Sequence, residues 1–229
     1  PFLNMGMGAW MLTAPVLLGY AGPNGMTLSD TVCGLLGMIG SFLALSWRLA
    51  LVRWCVAAVA VWIMSAPLVT WSESAAAYLN GTLAGAAVFA LAVCIRPAPG
   101  IGTLAATTGP TVPPGWDYSP SDWTQRIPVI ALAFFGLFVS RYLAAYQMGH
   151  VDGVWEPFFA GIPDDPQNGT EEIITSDVSR AWPVPDAGLG ALTYLLEILT
   201  GLIGSARRWR TMPWLVMFFG IMIVPLGVI

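Results

Sequence analysis

Long apolar stretches alternate with short polar segments along this chain. Seven of them approach the roughly 20 residues that a helix needs to cross the hydrocarbon core of a bilayer. They lie at about 5–21, 29–47, 50–71, 75–95, 127–147, 187–204 and 212–229. The pattern predicts an all-α, polytopic membrane protein with about seven transmembrane helices.

Composition points the same way. The chain has 229 residues, of which 56% are hydrophobic and 10% charged, whereas a soluble domain typically carries about 25% charged residues. The nine basic residues are all arginine and the net charge is −4, which argues against a nucleic-acid partner. His150 stands alone, which excludes a multi-histidine metal site, and we predict no metal. The three cysteines lack C-x-x-C spacing and are interpreted as small buried hydrophobic residues: Cys33, Cys55 and Cys94.

Arginine placement predicts the orientation. Seven of the nine arginines fall on one side of the predicted spans: Arg48, Arg53, Arg96, Arg126, Arg207, Arg208 and Arg210. The positive-inside rule makes that side cytoplasmic, together with the N-terminus. The acidic, aromatic-rich segment 148–186 then lies on the periplasmic or extracellular side, where we expect a partly ordered cap on the membrane surface.

The first half contains an internal repeat. The hexapeptide WMLTAP at 10–15 recurs as WIMSAP at 62–67, and each copy precedes a second helix rich in small residues. Proline frees the carbonyl four residues earlier, which needs a partner in lipid. Thr13 and Ser65 are placed to help. The second helices offer close-packing faces at 37–41 and 81–85.

The repeated motif resembles the SPW repeat, a bacterial membrane module, with W-x-x-[ST]-A-P in place of Ser-Pro-Trp. We therefore predict an SPW-repeat membrane module at 1–95, followed by a cytoplasmic linker at 96–126 that is rich in Pro, Gly and Thr. This resemblance implies a membrane location and no reaction. Asp30 and Glu73 lie at predicted outer ends and are interpreted as solvated cap residues.

The segment SDVSRAWPVPDAGLGALTYLLE at 176–197 resembles the outer loop and second helix of the vitamin K epoxide reductase family. Ser176 matches a serine that follows a loop cysteine in that family, and Trp182 and Tyr194 match later positions. The family is a four-helix bundle around a quinone, and residues 127–229 would supply three of its helices. A bacterial branch fuses SPW repeats ahead of such a domain, which places the protein in the bacterial inner membrane.

The resemblance implies a membrane thiol–quinone oxidoreductase that couples disulfide formation to quinone reduction. Its quinone-binding candidates here are Ser176, Trp182 and Tyr194. Ser176 has an alternative role as a helix N-cap, and Trp182 one as an interfacial aromatic residue. The expected partners are membrane lipid and a periplasmic thiol oxidoreductase.

The catalytic cysteines of that family are missing from this chain. Thr170 stands at the position of the second loop cysteine, and no cysteine occurs in 148–186. We expect a fragment whose C-x-x-C would follow Ile229, so this chain has no catalytic residue and is not competent by itself. The alternative is a non-catalytic membrane scaffold or binding protein; a transporter has less support, because the spans carry few polar residues.

Two charged residues fall well away from the ends of predicted spans, where ionisable groups are costly and point to function. Glu197 lies about 15 Å into the sixth span and Arg141 about 9 Å into the fifth, at 1.5 Å per residue. The sequence predicts an intramembrane Arg141–Glu197 pair. A structural acid at Glu197 is the alternative.

Overall fold

The computed structural model describes residues 1–49, 51–94, 110–163, 166–204, 206–210, 216–217 and 219–221. Its α-helices are α1 (Phe2–Leu17), α2 (Gly25–Leu43), α3 (Val52–Val69), α4 (Ala75–Cys94), α5 (Trp123–Gln147), α6 (Gly169–Ile174), α7 (Asp177–Arg180) and α8 (Asp186–Leu202). Short 3₁₀ helices occur at Trp47–Leu49 and Ala206–Arg210.

Four helices in the described ranges are long and apolar enough to cross a membrane: Gly25–Leu43, Val52–Val69, Ala75–Val93 and Trp123–Gln147. The shorter α1 is also apolar. Large apolar side chains lie exposed along α5, with Phe135 and Phe138 each more than 70% exposed, as expected of a lipid-facing surface. The prediction of an all-α membrane protein is confirmed. The count of seven spans stays a prediction, since most of 212–229 lies outside the described residues.

Helices α1 to α4 form a closed ring. α1 packs on α2, α2 on α3, α3 on α4, and α4 returns to α1. A buried cluster inside the ring takes one residue from each helix: Met11, Cys33, Ile63 and Ala84. α5 packs along α8, and α8 also contacts α3 and α4. The predicted boundaries 1–95, 96–126 and 127–229 stay predictions, and residues 95–109 of the linker region lie outside the described ranges.

The sequence repeat is a structural repeat. We name α1–α2 repeat 1 and α3–α4 repeat 2. Both first helices continue through their proline and then end on a left-handed residue, Gly19 (φ 77°) or Trp71 (φ 45°). In each copy the next amide donates to the proline carbonyl, Tyr20 at 3.0 Å and Ser72 at 2.9 Å. Residues that are 52 positions apart therefore match in backbone conformation as well as in the sequence motif.

The two prolines are accommodated differently from the prediction. The hydroxyls of Thr13 and Ser65 donate to carbonyls three and four residues earlier, not to the carbonyls that the prolines free. The freed Ile63 carbonyl instead faces α4, where a Cβ on Gly81 would lie 2.9 Å from it. A glycine lets the two backbones approach, as small residues do in membrane helix pairs.

Close packing at 81–85 is confirmed, because a Cβ on Gly85 would also meet Met64 at 2.4 Å. In repeat 1 the close contact is displaced from the predicted face. A Cβ on Gly34 would lie 2.7 Å from the Gly8 carbonyl, whereas one on Gly37 meets nothing nearer than 3.9 Å. The helix pair therefore meets one turn earlier than the predicted 37–41 face.

Candidate functional site

The described residues of 148–185, which are 148–163 and 166–185, fold into a cap at one end of the helices, which we call the cap end. Helix α6 begins with a capping box, in which Asn168 accepts from the Glu171 amide (2.9 Å) and Glu171 accepts from the Asn168 amide (3.2 Å). The other Glu171 oxygen accepts from the Val154 amide at 2.7 Å. Glu171 is only 8% exposed, so this acid organises the loop rather than being solvated.

Gln147, at the last position of α5, joins three parts of the cap. Its Nε2 donates to the Ile174 carbonyl and to Ser179 Oγ, both at 2.9 Å, and to the Asp186 carboxylate. Its Oε1 accepts from the Ala187 amide at 3.2 Å. Sequence reasoning missed this residue; the only signal was an amide side chain at the end of an apolar stretch.

Two hydrogen bonds join repeat 2 to the cap. The Trp71 indole donates to the Pro183 carbonyl at 3.0 Å, and His150 Nε2 donates to the Ser72 carbonyl at 2.7 Å. A left-handed backbone is rare for a bulky residue such as Trp71 and costs roughly 1–2 kcal/mol. That conformation presents its indole to the cap, next to the predicted site residue Trp182.

Two of the three quinone-binding candidates lie in one part of the cap. Trp182 is half-buried and lines an open groove of about 540 Å³ with Asp177, Val178 and Ala181. Ser176 is the N-cap of α7, the helix that forms one wall of this groove, and its Oγ accepts from the Ser179 amide at 3.3 Å. The alternative role considered for Ser176 is therefore present.

Tyr194 lies elsewhere. It is eight residues into α8, about 12 Å from the start of that helix at 1.5 Å per residue. Its ring covers Gly136 of α5, where an added Cβ would meet three ring atoms at 2.5–2.7 Å. In this position Tyr194 packs α8 against α5.

Arg141 has a different partner from the predicted one. Its guanidinium donates to the Thr82 hydroxyl and lies 4.1 Å from the centre of the Tyr78 ring, both on α4. Within the described chain no hydrogen bond or ion pair joins Arg141 to Glu197, which is half-buried on α8. Arg141 instead shares a small cavity with the first turns of α8, at Gly188 and Ala191. Depth along the two spans did not reveal that α4 lies beside α5 at this level.

Thr170, at the position of a family cysteine, is hydrogen-bonded to a glutamate. Its hydroxyl donates to Glu156, whose other oxygen accepts from the Phe158 amide at 2.8 Å. The Thr170 hydrogen bond, helped by backbone amides, holds the pKa of Glu156 below its usual range. The surrounding cap surface is apolar, with Phe158 84% and Trp155 78% exposed.

The cysteines that can be described are free thiols. Cys33 is buried, as predicted, but Cys55 is exposed on α3, which corrects its interpretation as a buried hydrophobic residue. Neither lies in the cap.

A second polar cluster lies inside the ring of α1 to α4. Asp30, expected to be solvated, is only 1% exposed, whereas Glu73 is exposed as predicted. Asp30 Oδ2 accepts from the Tyr20 hydroxyl at 2.8 Å, and that hydroxyl accepts from Asn80 Nδ2 at 3.1 Å. Asn80 Oδ1 accepts from the Trp10 indole at 2.8 Å. The three donors thus run in one direction toward the carboxyl group.

Comparison with known proteins bears on the C-terminal part. Residues 127–229 match the model of the vitamin K epoxide reductase family. No curated protein and no solved structure matches the chain significantly.

Proposed function

We propose, since residues 127–229 match the model of the vitamin K epoxide reductase family, that the protein is a membrane thiol–quinone oxidoreductase that couples disulfide formation to quinone reduction. The family match carries the proposal. In it, the cap faces the periplasm or exterior of a bacterial cell, and a periplasmic thiol oxidoreductase supplies the thiols.

The groove beside Trp182 is the quinone site in this proposal. Its volume falls in the range of small-molecule pockets, roughly 300–1,000 Å³, and its lining combines an indole with one carboxylate. Trp182 would stack on the flat ring. The chemistry that a bound quinone supplies is acceptance of two electrons and two protons as two thiols become one disulfide.

The cap contacts explain how the chain itself would position such a ligand. Trp182 precedes Pro183, whose carbonyl accepts from Trp71, and α7 is held through the Ser179 bond to Gln147. The segment that lines the groove is therefore held by hydrogen bonds from the turn after α3 and from the end of α5. This supports a preorganised site, in which less ordering is required when the ligand binds.

A quinone-binding measurement tests the site. We would titrate the chain in lipid nanodiscs with a short-chain quinone and follow quenching of tryptophan fluorescence. We expect Trp182→Leu to weaken binding at least about tenfold, or 1.4 kcal/mol. Trp155→Leu removes a cap tryptophan outside the groove lining and should leave the Kd unchanged. Equal Kd values for both variants and the natural chain would remove the groove from consideration.

Thr170 gives specific support to the alternative, a non-catalytic scaffold or binding domain. Only a thiolate can perform thiol–disulfide exchange, and this position holds a hydroxyl bonded to Glu156. The two functions separate in an assay of the protein in nanodiscs with added dithiol and quinone. Quinone reduction that depends on added dithiol supports the oxidoreductase, whereas quinone binding without reduction supports the scaffold.

A further inference from the structure

The cluster around Asp30 contains a carboxyl group whose surroundings do not suit a charge. Asp30 lies in α2, about 7.5 Å from its cap end at 1.5 Å per residue, inside a helix apolar enough to span a bilayer. It is 1% exposed. Oδ1 is buried and has no hydrogen-bond partner, while Oδ2 accepts one bond from Tyr20.

Asp30 lies between Met26 and Cys33 on the buried face of α2, and each of these two residues belongs to an apolar cluster. Toward the cap end lie Tyr20, Met26, Ala66 and Ala77, and farther into the ring lie Met11, Cys33, Ile63 and Ala84. An ionised carboxylate in such surroundings needs a counter-charge or several donors, because desolvation is strongly unfavourable. Asp30 has one donor. A neutral carboxylic acid, with its proton on Oδ1, avoids most of that cost.

The polar groups near Asp30 supply no further donor for Oδ1, so a proton is the simplest partner for this oxygen. Burial, and the hydrogen bond to Asp30, raise the pKa of Tyr20, so this hydroxyl stays a neutral donor. The Asn80 amide is occupied by Tyr20 and by the Trp10 indole. The other titratable groups described on these four helices are Cys33, Arg53, Cys55 and Tyr78. Of these, Arg53 and Cys55 lie at the opposite end of the ring, and Tyr78 faces Arg141.

We propose that Asp30, with Tyr20 and Asn80, forms a proton-binding site in the repeat, loaded at neutral pH. A proton from water at the cap end bonds to Oδ1 and cancels the carboxylate charge; no group is oxidised or reduced. Tyr20 is the link to water, because it lies in the turn between α1 and α2 and is 8% exposed, compared with 1% for Asp30. The site is separate from the cap groove and does not depend on the proposed redox function.

Infrared spectroscopy of the full chain in nanodiscs in D₂O tests this directly. We expect a protonated-carboxyl C=O band at pH 7 that disappears in Asp30→Asn and persists in the matched control Glu73→Gln. Glu197→Gln identifies any band from the half-buried acid of α8. Asn keeps an acceptor for Tyr20 and carries no charge, so D30N should fold as well as the natural chain. A C=O band that survives D30N unchanged, or its absence at pH 7, would overturn the proposal.

A second measurement separates a proton from a cation. A hydrophobic carbodiimide reacts with protonated carboxyl groups, and we expect peptide mass spectrometry to locate it on Asp30 at pH 7. Labelling should be the same in sodium chloride as in choline chloride at equal ionic strength. Protection by sodium, together with loss of the infrared band, would instead identify a monovalent-cation site and refute proton loading.

Discussion

The two repeats share one backbone design and differ in what covers them. Val16 of repeat 1 is 73% exposed, while Leu68, its equivalent in repeat 2, is 2% exposed and packs on Gly188 of α8. Repeat 1 therefore presents its first helix outward, whereas repeat 2 uses the same position to bind the C-terminal helices. The repeated motif determines the first helix of each repeat and the way it ends. The helices that pack against it determine whether its outer face is buried.

Equivalent polar positions of the two repeats also differ in their hydrogen-bond partners. Asp30 and Thr82 are equivalent, yet Asp30 finds its partner in its own repeat, at Tyr20, and Thr82 accepts from Arg141 of α5. Repeat 1 makes its main contacts with repeat 2, whereas repeat 2 also contacts α8 and, through Thr82, Arg141 of α5. This difference assigns repeat 2 the role of platform for α5, α8 and the cap.

The largest contrast is expected at the Val16 and Leu68 positions. Leu68→Ala should lower the free energy of unfolding by about 2–5 kcal/mol, because it opens a cavity between α3 and α8. Val16→Ala should change it by less than about 0.5 kcal/mol. Equilibrium unfolding in bicelles measures both. Equal losses would mean that the repeats are equally covered.

The next largest change in the free energy of unfolding is expected where glycines allow close helix contacts. Gly81→Ala should destabilise by about 1–3 kcal/mol, because the new Cβ would lie 2.9 Å from the Ile63 carbonyl and from Pro67. Gly37→Ala is the matched control in repeat 1, where the nearest atom is 3.9 Å away and higher helix propensity gives no loss or a small gain. A loss at Gly37 as large as that at Gly81 would contradict this packing.

The Arg141 contact tests how repeat 2 is joined to α5. Thr82→Val removes the hydroxyl acceptor from a half-buried guanidinium and should cost about 1–3 kcal/mol. In an Arg141→Met background the same substitution should cost clearly less, since no charge is left unpaired. Additive losses in this double-mutant cycle would show that the two side chains are not coupled.

The two motif tryptophans offer a smaller contrast. Each indole donates to the second helix of the other repeat, Trp10 to Asn80 and Trp62 to Ser29. Trp10→Phe leaves the buried Asn80 oxygen without its donor, so we expect a loss of about 1–2 kcal/mol. Trp62→Phe, in an exposed bond, should cost less than about 1 kcal/mol. The same unfolding assay ranks them, and the reverse order would refute this assignment.

The last contrast is a pH dependence that Tyr20 contributes in repeat 1. The pKa of Tyr20 is raised by burial, so above about pH 10 the unfolded chain loses this proton while the folded chain keeps it. Stability should therefore fall as pH rises through that range. Tyr20→Phe should flatten the fall, and repeat 2, with Ser72 at the equivalent position, has no counterpart. An unchanged slope in Y20F would exclude Tyr20 as the cause.

Sequence patterns predicted features whose causes are local. Apolar length indicated the helices, and the spacing of Trp and Pro indicated the repeat. Asp30 was misjudged because its burial depends on Tyr20 and Asn80, which lie 10 and 50 positions away. Arg141 was assigned the wrong partner because depth in a span says nothing about which neighbouring helix a side chain meets. In the cap, Ser176 supported two roles from sequence, and the N-cap became evident only with the amide of Ser179 in place.

The crossed tryptophan bonds also have a consequence for synthesis in the cell. The partner of Trp10 is 70 residues further along the chain. At about 5–20 residues per second, Asn80 is synthesised roughly 4–14 s after Trp10. In the later part of that interval, once Leu43 has been added, α1 and α2 are complete while the ring is still open. Repeat 1 therefore lacks the contacts from repeat 2 until Asn80 has been synthesised. Until then, the Trp10 indole and the Asp30 carboxyl group are exposed to lipid and to the translocation machinery.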